Sequence, residues 1–402
     1  MASRETRRRF LERCAAGGCV LAAGAGAARL LGTSSAQGAD IGPRLGGIYA
    51  TPEARFYEKL GENRVRCTLC PNKCEIGDQE RGYCGVRENR GGKYVTLVYG
   101  NPCAVHTDPI EKKPLFHFLP GTYACSIATA GCNIECLFCQ NWQISQVRPE
   151  QTRNYDLPPK RLVELAQRPQ RSFLQPGPVI ARTIAFTYTE PVVYYEYMYD
   201  TAKAARAAGI ESVMISNGYI CAEPMERLCE VLSGVKIDLK AYTEEFYTKL
   251  CHGHLEPVLS TLKLLARKKM WFELVYLVIP THNDGEKEVR EMCKWIVGEL
   301  GPDVPLHFSA FFPTYKLKNL ERTPPETVNG LYEVARKEGL RYVYVGNLRR
   351  DHPGESTHCP KCGRRVVHRV GYRVVSVALQ DGKCKHCNTE VAGVWASKIK
   401  KS

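Results

Sequence analysis

Three cysteines, Cys132, Cys136 and Cys139, fall at the spacing C-x3-C-x2-C within eight residues. An odd set suits neither a disulfide framework nor a closed zinc site, which takes four nitrogen or sulfur ligands. Three thiolates suit a four-iron cluster with one iron uncapped, because a closed electron-transfer cluster normally has four Cys. The uncapped iron can bind a small molecule. The competing readings are a zinc knuckle completed from elsewhere in the chain, or three buried thiols. Small residues at 128–131 suit a tight loop leaving a strand, and Ile134, Leu137 and Phe138 would shield a cluster.

Eight more of the 19 cysteines fall in two spaced groups. Cys67, Cys70, Cys74 and Cys84 read C-x2-C-x3-C-x9-C. Four thiolates so close can close a tetrahedral zinc or hold a second cluster; the spacing matches no ferredoxin run, which favours zinc and leaves a cluster open. Cys359, Cys362, Cys384 and Cys387 form two C-x2-C units 21 residues apart. That is the pattern of a zinc ribbon, with hairpin strands in the gap at 366–367 and 372–379. Cys125, Cys221, Cys229, Cys251 and Cys293 read as ordinary buried thiols.

The elements that must position these groups alternate. Strand patterns at 125–129, 183–187, 212–216, 235–239, 272–278, 306–311 and 342–345 are separated by helical patterns at 191–208, 223–232, 244–250, 256–267, 286–300 and 325–338. Six or seven such units predict an α/β fold, a partial (β/α)6-type barrel with a parallel sheet. In such barrels the chemistry sits at the carboxyl ends of strands. Glu190 follows the second strand, Ser216-Asn217-Gly218 ends the third, and Asp238 and Lys240 end the fourth on one face by strand alternation. Ahead of the core, residues 37–63 read as a linker and a short helix, and 93–100 as a strand leading inward. The tyrosine-rich run at 194–199 reads as helix packing.

The wording around the triplet resembles one family. Asp108-Pro109-Ile110-Glu111-Lys112-Lys113-Pro114-Leu115, His117-Phe118-Leu119-Pro120-Gly121, Gly131-Cys132-Asn133 and Phe138-Cys139-Gln140-Asn141-Trp142 are similar to the radical S-adenosylmethionine (SAM) enzymes of the AmmeMemoRadiSam system, relatives of the pyruvate formate-lyase activating enzymes. The resemblance runs from about residue 67 to residue 395. It implies a [4Fe-4S] cluster on Cys132, Cys136 and Cys139 that holds SAM. Glu190 would then meet the SAM amino group, Ser216 and Asn217 the ribose or methionine end, and Asp238 and Lys240 the sugar and carboxylate side. It implies an electron donor of the flavodoxin or ferredoxin kind, and association with Memo-like and AMMECR-type proteins. Two positions depart from the activating enzymes: Tyr315 stands where they carry a ribose-contacting His, and Ile215 where they carry an Asp of a cation site.

The formal net charge is +14, and leaving out residues 1–36, with six Arg against two acidic residues, brings it to +10. No aromatic-interleaved basic stripe accompanies that charge, which argues against nucleic acid. Residues 1–36 resemble a twin-arginine signal: Thr6-Arg7-Arg8-Arg9-Phe10-Leu11, a Gly/Ala-rich apolar run too short to span a membrane, and Ser34-Ser35-Ala36 as a cleavage site. It implies export to the periplasm or a membrane-associated place if the signal is functional, and a cytoplasmic place otherwise. The organisation is then signal at 1–36, linker and four-Cys segment at 37–104, core at 105–350, and zinc ribbon with basic tail at 351–402. Rival readings are a glycyl-radical activase and a non-catalytic metal-ribbon module binding nucleic acid or protein.

Overall fold

A computed structural model describes residues 43–172, 175–348 and 352–395. The signal-like start and the basic tail lie outside the described residues. Eight strands form the central sheet: β1 (Ala104–Pro109), β2 (Tyr123–Ala128), β3 (Ala181–Phe186), β4 (Glu211–Ser216), β5 (Gly234–Asp238), β6 (Phe272–Val278), β7 (Leu306–Ala310) and β8 (Val343–Gly346). Their spatial order is β8-β7-β6-β5-β4-β3-β2-β1. All neighbours pair in parallel except β1, which runs antiparallel to β2 over six residue pairs, from Ala104 opposite Ala128 to Pro109 opposite Tyr123. A parallel sheet is covered on both faces, so its strands read as continuous apolar runs. Phe272–Val278, with the sequence FELVYLV, is buried along nearly its whole length.

The covering helices follow from 3.6-residue spacing. Leu255–Arg267 buries Leu255, Val258, Leu259, Leu262 and Leu265, an i, i+3, i+4, i+7 stripe. Its first free N–H, on Leu255, is taken by the Glu244 carboxylate at 2.9 Å. It ends where Lys269 turns left-handed, at φ 53°. Truncating Leu262 to Ala there would cost about 2–5 kcal/mol through lost burial and a cavity. Two predicted helices, at 244–250 and 286–300, widen into π geometry over Tyr247–Cys251 and Ile296–Leu300.

The approach to the core differs from expectation. Residues 43–63 contain no helix. Tyr57–Gly61 is a strand paired with Arg64–Cys67, across a turn in which Glu62 and Asn63 take φ 48° and 57°. Two successive positive φ values are what a tight hairpin requires, and Asn accepts them. The strand expected at 93–100 is extended only over Lys93–Thr96, in a hairpin with Arg87–Arg90. Gly100, at φ 72° and packed on Pro158, turns the chain away, and β1 supplies the sheet edge instead. The helix Pro159–Gln167 also went unpredicted.

The last segment forms a three-stranded sheet of Thr357–His358, Arg365–Val370 and Arg373–Val377, plus a short pair of Leu379–Gln380 with Lys383–Cys384. It docks on residues 111–119 of the core. Leu119 N–H donates to Val394 O at 2.8 Å and Val394 N–H to His117 O at 2.7 Å. Arg369 and Glu111, both fully buried, lie 3.6 Å apart across this seam. His117 Nδ1 meets Ala392 O at 2.6 Å, while its Nε2 meets the Tyr344 hydroxyl. Among the described residues no helix is long and apolar enough to cross a membrane.

Candidate functional site

The cysteine loop leaves the carboxyl end of β2. Gly131 begins it at φ 94°, and a Cβ there would lie 2.6 Å from Val86 and 2.7 Å from Cys84 O, so only glycine fits. Cys132, Cys136 and Cys139 follow. The loop is pinned from the 244–251 segment, where Glu135 N–H donates to Cys251 O and Leu137 N–H to Leu250 O, both at 2.9 Å. Ser145 Oγ lies 3.2 Å from Cys139 Sγ. Cys251, expected as an ordinary buried thiol, stands beside Cys136, and its hydrogen bond holds Cys136 below the usual thiol range. Cys125 and Cys293 are buried as expected, whereas Cys221 and Cys229 are only half-buried.

Glu190 sits at the end of β3, 3% exposed. Its carboxylate accepts from Val192 N–H at 3.0 Å, Ser216 Oγ at 2.7 Å and Asn217 N–H at 2.8 Å. Burial pushes its pKa up to about 7, against the pull of those donors. Asn217 in turn donates through Nδ2 to Asn133 Oδ1 at 2.9 Å, and Asn133 Nδ2 donates to Tyr219 O at 2.7 Å. Gly218 makes this turn at φ 75°, where a Cβ would press on Ile237 and Val258 at 3.1 and 3.2 Å. Thus Glu190, Ser216 and Asn217 form one network that reaches the residue after Cys132.

At the end of β5, Asp238 is bound by the Lys236 ammonium, with Lys240 Nζ 3.7 Å away. Residues 236, 238 and 240 share a face, as strand alternation requires. Burial works against the Asp238 charge, but Lys236 and Lys240 outweigh it and hold the carboxyl below its ordinary value. Burial alone would lower Lys240; Cys136 and Asp238 instead raise it well above the usual lysine range. Lys236 was not anticipated, since a lysine inside a buried strand gives no local sign of its partner. Tyr315, at φ 49°, stacks on Trp142 of the cysteine loop, with centroids 5.2 Å apart and planes 15° apart. Lys316 N–H donates to Leu137 O at 3.0 Å.

Polar side chains stitch the strand ends together. Thr189 Oγ1 donates to Thr129 O at 2.8 Å, joining β3 to β2. Asn283 Nδ2 donates to Lys240 O at 2.7 Å, joining β6 to β5. Thr323 Oγ1 donates to Val278 O and accepts from Phe311 N–H, joining β7 to β6. Asn347 Nδ2 donates to Ala310 O at 3.1 Å, joining β8 to β7. Each holds a loop above the barrel in a fixed place, which is what a site built from several strand ends needs. The Tyr-rich segment packs as expected, with Tyr194, Tyr195 and Tyr197 buried.

At the carboxyl-terminal metal candidate, Cys359, Cys362, Cys384 and Cys387 place all four Sγ atoms within 4.8 Å of one another. Cys359 and Cys387 are 3.5 Å apart, and Cys362 and Cys384 3.8 Å. These match the edge of about 3.8 Å that four zinc–sulfur bonds of about 2.3 Å define.

The cysteine loop and the buried Glu190 carboxylate thus both stand near the carboxyl ends of parallel strands. The sequence model of the radical SAM superfamily matches residues 126–296. An uncharacterized protein of Methanocaldococcus jannaschii is 43% identical over 341 residues, covering 84% of this chain and 98% of its own. A second from the same organism is 25% identical over 291 residues, covering 69% and 76%. Among solved structures, a radical SAM methyltransferase from Sphaerobacter thermophilus aligns with TM-score 0.43 and 13% identity over 73% of this chain and 76% of its own. A domain of a pyruvate-formate lyase-activating enzyme from Bacteroides vulgatus aligns with TM-score 0.36 and 17% identity, over 40% and 98%. The chain belongs to the radical SAM superfamily, whose members are enzymes using SAM radical chemistry with an iron–sulfur cluster.

Proposed function

We propose that Cys132, Cys136 and Cys139 hold a [4Fe-4S] cluster with one iron free for SAM, and that the enzyme abstracts hydrogen from its substrate. When bound, the cluster supplies one electron that splits SAM into methionine and a 5′-deoxyadenosyl radical. The observation that carries the reading is the convergence of the cysteine loop with Glu190, Ser216, Asn217, Asp238 and Lys240 from successive strand ends. Three thiols in one loop are the right donor set, since a protein that used four would leave no iron for SAM.

The chain's own residues would bind and orient. Glu190 offers a buried carboxylate to the SAM ammonium, with Ser216 Oγ and Asn217 N–H holding its oxygens in place. Lys240, kept charged by Cys136 and Asp238, would meet the SAM carboxylate, and Asp238 the sugar. Ile134 and Phe138, buried within the loop itself, would exclude water. The Trp142–Tyr315 stack braces the chain just after the loop.

The finer assignment is to the AmmeMemoRadiSam branch, supported by the stretch at 108–121. A flavodoxin- or ferredoxin-type donor, Memo-like and AMMECR-type partners, zinc in the 359–387 ribbon and twin-arginine export belong to the same reading. Anaerobic reconstitution and reduction with dithionite test it: wild type should form 5′-deoxyadenosine, and the variant with Ser at 132, 136 and 139 should form none. Full SAM cleavage by that triple variant would refute the assignment. Activation of a glycyl-radical enzyme is the nearest alternative, and a glycyl radical on a partner protein would be its signature.

A further inference from the structure

Cys67 ends a strand, Cys70 and Cys74 lie in the hairpin loop that follows it and Cys84 in a later turn, yet all four line one small cavity. Their spacing differs from that of the ribbon. Among the described residues, the ribbon cysteines are the one group of three or more Cys, His or carboxylate side chains whose ligand atoms all lie within 4.8 Å of one another. Neither the 67/70/74/84 thiols nor the three core thiols at 132, 136 and 139 form such a group. Zinc draws four sulfurs to about 3.8 Å, whereas a cubane cluster binds each thiolate to a separate iron and so holds them farther apart. The molecule thus holds one tightly gathered cysteine group and two that are not, and one of the latter belongs to the superfamily's cluster loop.

A second observation concerns Arg87, which lines the same cavity and is 1% exposed. Its Nη2 pairs with the buried Glu196 carboxylate, and its Nε donates to Val193 O at 3.2 Å. Its Nη1 has no hydrogen-bond partner. Buried guanidinium N–H groups are not left unpaired without reason. Across the cavity Arg87 feels Cys67 and Cys84. With its own charge balanced by Glu196, its spare donor suits an anionic sulfur-bearing occupant.

The segment is built against the core loop. Asn72 Nδ2 donates to Asn133 O at 2.8 Å, and Cys84 lines an outer cleft together with Cys132. We propose that Cys67, Cys70, Cys74 and Cys84 ligate a second [4Fe-4S] cluster rather than the zinc that their spacing in sequence favours. The site stands on its own residues and does not depend on the core assignment.

The test is metal analysis and electron paramagnetic resonance on the anaerobically reconstituted full chain. Wild type should carry about eight iron atoms, and the variant with Ser at 132, 136 and 139 should keep about four, with a reduced-cluster signal. The variant with Ser at 67, 70, 74 and 84 should lose that share of iron. Because the core variant keeps all four outer thiols, it is decisive even if the outer variant folds poorly. A core variant that binds no iron, or carries a second zinc in its place, overturns the proposal. Wild type with only about four irons, all surviving in the core variant, would instead sink the core assignment and leave this one standing.

Discussion

Asn217 and Asn133 share a side-chain hydrogen bond of 2.9 Å, which ties the end of β4 to the residue directly after the first cysteine of the loop. Through the Asn217 N–H the same tie reaches Glu190. The carboxylate assigned to SAM and the loop assigned to the cluster are therefore placed by one hydrogen-bonded unit.

Glu190→Gln should weaken SAM binding tenfold to a hundredfold, or about 1.5–3 kcal/mol for a lost charge-assisted hydrogen bond. Because the Glu190 carboxyl titrates at about 7, wild-type affinity should also rise with pH through neutrality as the carboxylate forms. That rise should be missing in Glu190→Gln. Titration of SAM into the reconstituted proteins at several pH values decides, and equal affinity for the two proteins would remove Glu190 from the site.

His117 gives stability its own pH dependence. Burial holds its imidazole at about 4, below the ordinary 6.5. The neutral ring donates from Nδ1 to Ala392 O and accepts at Nε2 from the Tyr344 hydroxyl. The depressed folded value means the unfolded chain takes up the proton first. The contribution is present above pH 6.5 and is lost as pH falls toward 4, by roughly 3 kcal/mol in all. Denaturant melts across that window should be shallower in His117→Gln than in wild type; matching slopes would count against the assignment.

Arg369→Met should cost about 3–5 kcal/mol, because it strands the buried Glu111 carboxylate. Glu111→Gln added to it should recover part of the loss, since the amide carries no charge to desolvate. Burial already pushes Glu111 above the usual carboxylate range despite Arg369. Guanidinium melts of both single variants and the double variant measure the coupling, and strictly additive losses would show that the pair does not interact.

Cys359→Ser should release zinc and lower the melting temperature. A closed tetrahedral site contributes folding energy outright, and Cys359 shares a core with Phe116, Tyr342 and Tyr344. Calorimetry with zinc analysis checks both; unchanged zinc content would mean that the ribbon binds something else or nothing.

Much of this was legible in the chain. All seven parallel strands appear where apolar runs predicted them, and Phe272–Val278 matches to the residue. The antiparallel β1 was missed because AVHTDP carries His106, Thr107 and Asp108, and no apolar alternation marks it. Asp108 is in fact paired with Lys112 and Lys113 and bonded by the Tyr188 hydroxyl, a partner 80 positions away. Lys236, Cys251 and the Arg87–Glu196 pair escaped for the same reason: their meaning lies in neighbours far along the chain. The short-range motifs were visible because their spacing is itself the chemistry.

The sheet's order runs without interruption from β1 to β8, so each strand meets only its chain neighbours. A nascent chain can lay down this wall strand by strand at little loop-closure cost. The seam between residues 111–119 and the ribbon is different: His117 and Ala392 lie 275 positions apart. It cannot form until the ribbon segment has been made, so the ribbon-facing side of the turn after β1, with Phe116 and His117, must wait for that segment to arrive. Ribosome-stalled chains ending before the ribbon should be cut by protease near residues 115–119 while β2 to β8 resist. Released full-length chains should resist at both places.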